Sequence, residues 1–311
     1  MIISSMQGGA DMSGEMTGDV IRETEAESIC DVGATLGEGP IWVARDAALW
    51  FVDIKAPHIH RFDPATGTLD TWDAPDQTGW VIPADDGAFL AGVRGGLHRF
   101  DPATGTFDKI ATVHAETPGN RLNDAARDPT GRVWFGTMDN AESDDTGHVY
   151  HWHDGELTKT NIPPVAITNG PAISPDGGTL YAVDTLGKRI DAYPIDAAGT
   201  VGAPRVFLTI GDDDGHPDGA ICDSEGGVWI GFFGGWAARR FAPDGTCTDI
   251  VHFPVANITK IALGGPDGRT AYATTAAKGL DDEARAAQPL AGNLFTFRVA
   301  VPGVPVEPVT L

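Results

Sequence analysis

Four oxygen-bearing side chains stand in similar short motifs of this sequence and could together bind a cation. Glu38 lies in Gly-Glu-Gly-Pro, Asn123 in Arg-Leu-Asn-Asp, Asn169 in Thr-Asn-Gly-Pro and Asp218 in Pro-Asp-Gly-Ala. Each one alone is typical of a turn, where Asn, Asp, Gly and Pro are common. Two carboxylates and two amides meeting in a narrow space would instead indicate a hard divalent ion such as Ca²⁺, Mg²⁺ or Mn²⁺.

A repeat in the sequence predicts how these residues could meet. The octapeptide Arg-Phe-Asp-Pro-Ala-Thr-Gly-Thr occurs at residues 61–68 and again at 99–106. Weaker copies of this hairpin turn follow at 153–155, 196–199, 241–245 and 300–303. A second family of polar turns leads into strongly β-prone runs, at 45–46, 85–87, 129–131, 175–177, 224–226 and 266–268.

Two hairpins in each unit form a four-stranded antiparallel blade, so the repeat predicts an all-β, six-bladed propeller. An open sandwich is the alternative, but it accounts less well for six evenly spaced copies. In a propeller, the residue before each innermost strand points to the central axis. Glu38, Asn123, Asn169 and Asp218 occupy four of these six positions, while Gly79-Trp80 and Thr259-Lys260 occupy the other two.

Composition supports this class and sets the expected boundaries. The 311 residues include 40 Gly and 22 Pro, and 41% are hydrophobic, which suits many short strands joined by tight turns. Residues 1–24 lack periodicity and are expected to form a disordered extension, with a single propeller domain over 25–311. We expect Ala26–Val32 to complete the last blade beside the C-terminal strands.

The charge and the cysteines narrow the choice of partners. A net charge of −23 argues against nucleic acid, whose phosphates require a basic surface. Three cysteines without C-x-x-C spacing suggest neither a disulfide framework nor a thiolate metal site. Without a membrane-length apolar run or a signal-like N-terminus, we expect a cytoplasmic protein that is a monomer or weak oligomer and does not bind membranes.

The C-terminal ends of the second strands should line the same mouth of the channel. They contribute Asp53, residues 137–139, Asp184 and the 233–236 segment. Asp184 is interpreted as a cap of its strand end, and the role of His216 is left open. The rings of Trp80 and Trp236 could face a sugar or pack in the core. The pairs His58/His60 and His151/His153 lie toward outer strands and are interpreted as packing or surface residues.

Taken in order, these motifs resemble the SMP-30/gluconolactonase/regucalcin family of metal-dependent six-bladed propellers. The resemblance spans about residue 26 to the C-terminus and rests on residues 36–40, 121–124, 168–171 and 217–219. The stretches 278–283 and 288–292 are similar to bacterial sugar lactonases such as the xylonolactonases. The resemblance therefore implies hydrolysis of a pentonolactone or hexonolactone to its open aldonate.

The resemblance also implies roles for particular residues. Glu38, Asn169 and Asp218 would hold one divalent ion, whose identity stays open among Ca²⁺, Mg²⁺, Mn²⁺, Fe²⁺ and Zn²⁺. Asn123 would lie beside the ion or the substrate, and Arg121 would contact substrate oxygens. Asp218 is the candidate general base, although a carboxylate bound to a dication is a poorer base than a free one.

One position departs from the family, and other functions stay open. Some members carry a substrate-binding glutamate where this chain has Ala141, with Glu142 next along. The alternatives are a non-catalytic Ca²⁺-binding regulatory propeller, a scaffold for protein partners, or a metal-dependent esterase or organophosphate hydrolase.

Overall fold

The structure, a computed structural model, describes residues 21–311 of the chain. It begins with two short strands, β1 (Arg22–Glu25) and β2 (Glu27–Cys30). Residues 1–20 of the expected extension lie outside the described residues. Strand β1 pairs in parallel with a later strand from Arg22 onward, three residues before the expected start of the propeller domain.

The first three blades follow in chain order. Blade 1 contains β3 (Gly37–Val43), β4 (Ala48–Asp53), β5 (His58–Asp63) and β6 (Thr68–Asp73). Blade 2 contains β7 (Thr78–Pro83), β8 (Phe89–Val93), β9 (Gly96–Asp101) and β10 (Thr106–Thr112). Blade 3 contains β11 (Asn120–Arg127), β12 (Val133–Asp139), β13 (Val149–His153) and β14 (Glu156–Lys159).

The remaining blades use the N-terminal strands as well. Blade 4 contains β15 (Thr168–Ile173), β16 (Thr179–Asp184), β17 (Arg189–Pro194) and β18 (Arg205–Thr209). Blade 5 contains β19 (His216–Cys222), β20 (Val228–Phe233), β21 (Ala237–Phe241) and β22 (Cys247–His252), with β1 beside β22. Blade 6 contains β23 (Ile258–Gly264), β24 (Thr270–Thr275), β25 (Leu294–Arg298) and β2. Helix α1 (Asp282–Ala287) precedes β25, and 3₁₀ turns form at Ala44–Asp46 and Asp212–Asp214.

The six blades close into a ring, as the repeat predicts. The innermost strand of each blade contacts that of the next, and β23 contacts β3. Strand β2 pairs antiparallel with β25, which confirms that the segment after Ala26 completes the last blade. The predicted hairpin at 300–303 is wrong, because β2 already occupies that edge of β25. The C-terminal segment crosses one end of the ring instead, where Ser224 N–H donates to Pro302 O at 2.9 Å.

Hydrophobic packing between neighbouring blades holds the ring together. Alternate residues of a strand point to opposite faces, so one strand serves two interfaces. In β4, Leu49 and Phe51 pack against blade 6, whereas Trp50 and Val52 pack against blade 2. Each of the six interfaces has such a cluster. None of the helices described between residues 21 and 311 has the length and apolar character needed to cross a membrane.

Every innermost strand breaks its pairing register near its start. The breaks lie between Glu38 and Ile41, Thr78 and Trp80, Leu122 and Ala125, Asn169 and Ala172, Pro217 and Ala220, and Ile258 and Lys260. Such bulges leave residues without a cross-strand partner and redirect their side chains. The repeat therefore places a bulge at the same level of all six blades, around one axis.

We predict that Thr259→Val destabilises the junction between the last blade and the first. The buried Thr259 hydroxyl donates to Gly37 O at 2.6 Å and lies 2.8 Å from the Thr274 hydroxyl. Valine keeps the shape but removes these bonds, so the free energy of unfolding should fall by about 1 to 3 kcal/mol. Urea denaturation measures this. The control Thr106→Val, on an exposed outer strand, should change it by less than about 0.5 kcal/mol; equal effects would contradict the prediction.

Candidate active site

Glu38 lies on the axis at the bulge of β3, and its side chain is 3% exposed. One of its carboxylate oxygens accepts a hydrogen bond from Gly39 N–H at 3.0 Å. Burial and the nearby charge of Asp124 raise the pKa of Glu38 to about 8, although Lys260 and Arg121 oppose this. An ionised Glu38 therefore requires more positive charge than the described residues supply.

Asp218, at the bulge of β19, is the least satisfied of the site's carboxylates. It is 6% exposed, and among residues 21–311 no hydrogen bond or ion pair reaches its side chain. Burial raises the pKa of Asp218 well above its ordinary value, and the charges of Glu38 and Asp124 raise it further. Lys278 and Arg121 act in the opposite direction. Leaving a buried carboxylate unpaired is costly, so this position favours a bound cation.

Two asparagines from neighbouring blades form a continuous hydrogen-bond chain. Asn123 Nδ2 donates to Asn169 Oδ1 at 2.9 Å and to Thr168 O at 2.7 Å. Asn169 Nδ2 donates to Thr185 Oγ1 at 2.8 Å, which fixes the orientation of the Asn169 amide. Asn123 Oδ1 accepts from Arg121 Nη1 at 2.6 Å, and its second lone pair remains available to a ligand.

Arg121 is a buried cation that has no carboxylate partner among residues 21–311. Its Nη1 also donates to Leu122 O at 3.1 Å, while Nε has no hydrogen-bond partner among the described residues. Burial lowers the pKa of Arg121 to about 10, and Glu38, Glu142 and Asp218 counteract the decrease. The guanidinium thus remains charged near pH 7, and it lies near carboxylates both on the axis and on a loop at the mouth.

The sequence interpretation missed a buried ion pair beneath these residues. Asp124, next to Asn123 in the same bulge, pairs with Lys260 at the start of β23. Lys260 Nζ also donates to Ala125 O at 3.0 Å. Burial raises the pKa of Asp124, and Lys260 opposes the increase. The only indication in the sequence was that both residues lie near the start of an innermost strand, and such residues are expected to approach the axis.

The loops that follow the second strands line the mouth of the channel, at the end where the innermost strands begin. Asp53 accepts hydrogen bonds from the backbone N–H groups of residues 35, 36, 55 and 56, so it caps its strand end. Asp139 accepts from the N–H groups of residues 141, 143 and 144, and these bonds, led by that of Ser143, lower its pKa to about 2. Glu142 pairs with Lys278 from blade 6. The carboxylate near Arg121 therefore comes from Glu142 instead of position 141.

The other sequence candidates divide between core and surface. Trp80 is 2% exposed and packs on Phe135, so its ring belongs to the core. Trp236 is 46% exposed, and its ring remains available for contact with a sugar. Asp184 accepts from Gly187 N–H at 2.9 Å, as its interpretation as a cap predicts. The role of His216, which begins β19, stays open.

One histidine of each predicted pair is buried and packs away from the axis. His60 and His151 are buried on the third strands of their blades, away from the axis. The His60 ring lies 2.9 Å from Thr71 Oγ1 and the His151 ring packs on Trp134, so both are packing residues, as expected.

The donor set fits a hard divalent cation. No group of three His, Cys, Asp or Glu side chains suited to a metal occurs within residues 21–311. The candidate ligands are instead two carboxylates, Glu38 and Asp218, and the oriented amide oxygen of Asn169. Such an oxygen set suits Ca²⁺, Mg²⁺ or Mn²⁺, and a dication would neutralise the two buried carboxylates.

The opposite end of the channel contains a cavity of about 440 Å³. It is lined by mainly apolar residues that follow the bulges and by the C-terminal segment 303–307. Lys260 reaches this cavity and also pairs with Asp124. The cavity therefore lies on the other side of the buried ion pair from the candidate ligands.

Comparison with known proteins identifies the family. The family model described as SMP-30/Gluconolactonase/LRE-like region matches residues 36–277. The chain is 36% identical to an L-arabinolactonase from Azospirillum brasilense, over 90% of this chain and 94% of the relative. It is 32% identical to a 6-deoxy-6-sulfogluconolactonase from Pseudomonas putida, over 87% and 93% respectively.

A solved structure extends this likeness to the whole fold. The structure of a calcium-binding regucalcin from Agrobacterium tumefaciens is 31% identical and superposes with a TM-score of 0.89. The superposition covers 94% of this chain and 99% of that chain. Sequence and fold agree over nearly the whole described length, and the chain belongs to the SMP-30/gluconolactonase/LRE-like family.

Proposed function

We propose that this protein hydrolyses a sugar-acid lactone, a pentonolactone or hexonolactone, to the open aldonate with the help of one divalent cation. The observation that carries the proposal is the buried Asp218 beside Glu38 on the propeller axis, which has no hydrogen-bond or ion-pair partner in the described part of the chain. The arabinolactonase and sulfogluconolactonase relatives support a lactone substrate. The regucalcin described as calcium-binding supports a divalent ion.

Glu38, Asn169 and Asp218 would hold the cation, with Asn123 as the fourth ligand. When bound, the cation supplies Lewis-acid polarisation of the lactone and stabilises the negative charge that develops during attack. Asn123 orients the Asn169 amide through their shared hydrogen bond at 2.9 Å. The two carboxylates and the two amides therefore put the cation site on one face of the channel mouth, where an oxygen of the lactone would bind.

Arg121 would bind the substrate on the same face. Its charge is retained near pH 7, and its Nε donor has no partner among the described residues. A preorganised donor aimed at the developing oxyanion stabilises the transition state more than the ground state. The hydrogen bond to Asn123 Oδ1 holds the guanidinium in place.

Proton transfer is assigned to Asp218. Glu38 accepts a hydrogen bond from Gly39, and Asp124 pairs with Lys260. Asp218 is the one member of these three carboxylates with no such partner in residues 21–311, so it is free to accept a proton from the attacking water. Binding to a cation lowers the basicity of a carboxylate, and the two roles of Asp218 must therefore be separated by experiment.

We expect lactone hydrolysis to require a divalent metal ion. Glucono-1,5-lactone, arabinono-1,4-lactone and xylono-1,4-lactone are assayed after chelation and dialysis, then after addition of Ca²⁺, Mg²⁺, Mn²⁺, Fe²⁺ or Zn²⁺ separately. Activity should disappear on chelation and return with at least one ion. Full activity in verified metal-free protein would refute metal dependence. Metal binding without hydrolysis of any lactone would favour a calcium-binding regulatory protein, and phosphotriester hydrolysis in its place would favour an organophosphate hydrolase.

We expect Glu38→Gln to weaken metal binding and lactone hydrolysis together. The substitution keeps the shape of the side chain and removes one anionic ligand, so metal affinity should fall by about tenfold or more, equivalent to about 1.4 kcal/mol. Calorimetric titration with the activating ion measures this. The control Glu156→Gln, an exposed residue of β14, removes the same charge elsewhere. Unchanged metal affinity in Glu38→Gln would remove this residue from the site.

We expect Asp218→Asn to separate proton transfer from metal binding. Asparagine keeps an oxygen ligand but accepts protons poorly, so kcat should fall by about 10²-fold to 10⁴-fold. Metal affinity, measured by titration on the same sample, should fall by a much smaller factor. The control Asp108→Asn, an exposed residue of β10, should leave both values unchanged. Full activity in Asp218→Asn would exclude both roles.

A further inference from the structure

Three basic side chains at the mouth of the channel are not used by the proposed reaction. We call Lys55, Arg94 and Lys278 the cationic rim. Lys55 follows β4 of blade 1, Arg94 lies between β8 and β9 of blade 2, and Lys278 follows β24 of blade 6. Blades 6, 1 and 2 are neighbours in the ring, so these residues occupy one continuous side of the mouth.

Their contacts all lead to blade 3, which carries Arg121. Lys55 Nζ donates to Asn140 Oδ1 at 2.9 Å, and Lys278 pairs with Glu142 on the same loop. Arg94 Nη2 donates to Pro118 O at 3.0 Å, just before β11. Burial and the positive charges of Arg121, Lys278 and Arg94 lower the pKa of Lys55, and the nearby carboxylate of Glu142 opposes this decrease. These cations are therefore within electrostatic reach of Lys55.

The positive charge of this side is only partly neutralised, because Glu142 pairs with Lys278 alone. Neither Lys55 nor Arg94 has a carboxylate oxygen within 4.0 Å among the described residues, and the same holds for Arg121 beneath them. Asp53 and Asp139 are nearby in the same loops, but backbone N–H groups already saturate their carboxylates. In a chain with 44 acidic and 21 basic residues, unpaired cations grouped at one mouth call for an anionic ligand.

The opposite side of the mouth carries acidic residues. Blades 4 and 5 present Asp184 and the acidic turn Asp212–Asp214 there. Lys188 and Arg239 pair with two of the carboxylates in that turn, but no basic group pairs with Asp213 among the described residues. A negatively charged group entering the mouth would be repelled from this side and attracted to the cationic rim.

We propose that the natural lactone carries an anionic substituent, a carboxylate, phosphate or sulfonate, which Lys55 and Arg94 bind while the lactone group faces Glu38 and Asp218. The inference rests on the proposed lactone hydrolysis and specifies its substrate class. Lys278, already paired with Glu142, adds to the field at the rim. Charge-assisted hydrogen bonds to an oxyanion are about twice as strong as neutral ones, so the rim would select charged lactones over neutral ones.

The test compares glucono-1,5-lactone with 6-phosphoglucono-1,5-lactone in the metal-loaded enzyme, each corrected for spontaneous hydrolysis. We expect kcat/KM to be at least about tenfold higher for the phosphorylated lactone, with the difference mainly in KM. The preference should diminish as ionic strength rises, because salt screens exposed charges. Equal kcat/KM values for the two lactones, with the same salt dependence, would overturn the inference and leave the proposed lactonase activity intact.

Variants assign the preference to particular residues. Lys55→Met and Arg94→Met should each reduce the ratio of the two kcat/KM values by about tenfold, whereas Lys55→Arg should retain most of it. Lys109→Met removes the same charge from an exposed position on β10 and should leave the ratio unchanged. An equal loss in Lys109→Met would show a general effect of net charge and overturn the assignment.

Binding of the open products tests the rim independently of catalysis. By calorimetry, 6-phosphogluconate should bind more tightly than gluconate, and Lys55→Met should remove that difference. Equal binding of both anions, lost equally in Lys55→Met, would mean that the rim recognises the carboxylate of the product, and would overturn the inference. This outcome can be reached even with no lactone hydrolysis, so it is distinguishable from failure of the proposed function.

Discussion

Closure of the ring is the constraint on which the rest of this structure depends. A blade has two apolar faces, and each must be covered by a neighbouring blade, so an open row would leave two faces in water. Closure is achieved by β2, which pairs with β25, and by the Thr259 hydroxyl, which bonds Gly37 across the first and last blades. The same closure forces six strand starts onto one axis.

The candidate site residues lie at this axis, where packing of the blades buries them. The register breaks lie at or beside Glu38, Asn123, Asn169 and Asp218, and they leave Asn123 and Asp218 without a cross-strand partner. Carboxylates buried in this way raise one another's pKa and are stable as anions only with compensating charge. Arg121 supplies part of that charge within the site, and the proposed dication would supply the rest. The closed ring thus holds these charged groups from different blades at fixed positions around the axis.

Much of the fold was predictable because the repeat is local in sequence. The β-prone runs at 49–52 and 133–136, for example, lie within the second strands β4 and β12. Prediction was less accurate at the two chain ends, where the pairing partners are remote in sequence. The turn at 300–303 resembles its relatives but opens no hairpin, because β2 already occupies the edge. Likewise β1 begins at Arg22, since it gains a parallel partner in β22 that no local pattern reveals.

The sequence by itself predicted the six-bladed architecture and the four oxygen-bearing side chains near the axis, because a residue at a fixed place in each repeat has a fixed position in a ring. The tertiary structure alone decided how those residues are used. It directed Asn123 Oδ1 to Arg121, paired Asp124 with Lys260, buried Trp80 and grouped Lys55 with its cationic neighbours. The pair of Asp124 with Lys260 joins two different blades, and the strength of all these contacts depends on burial and distance, which spacing along the chain does not encode.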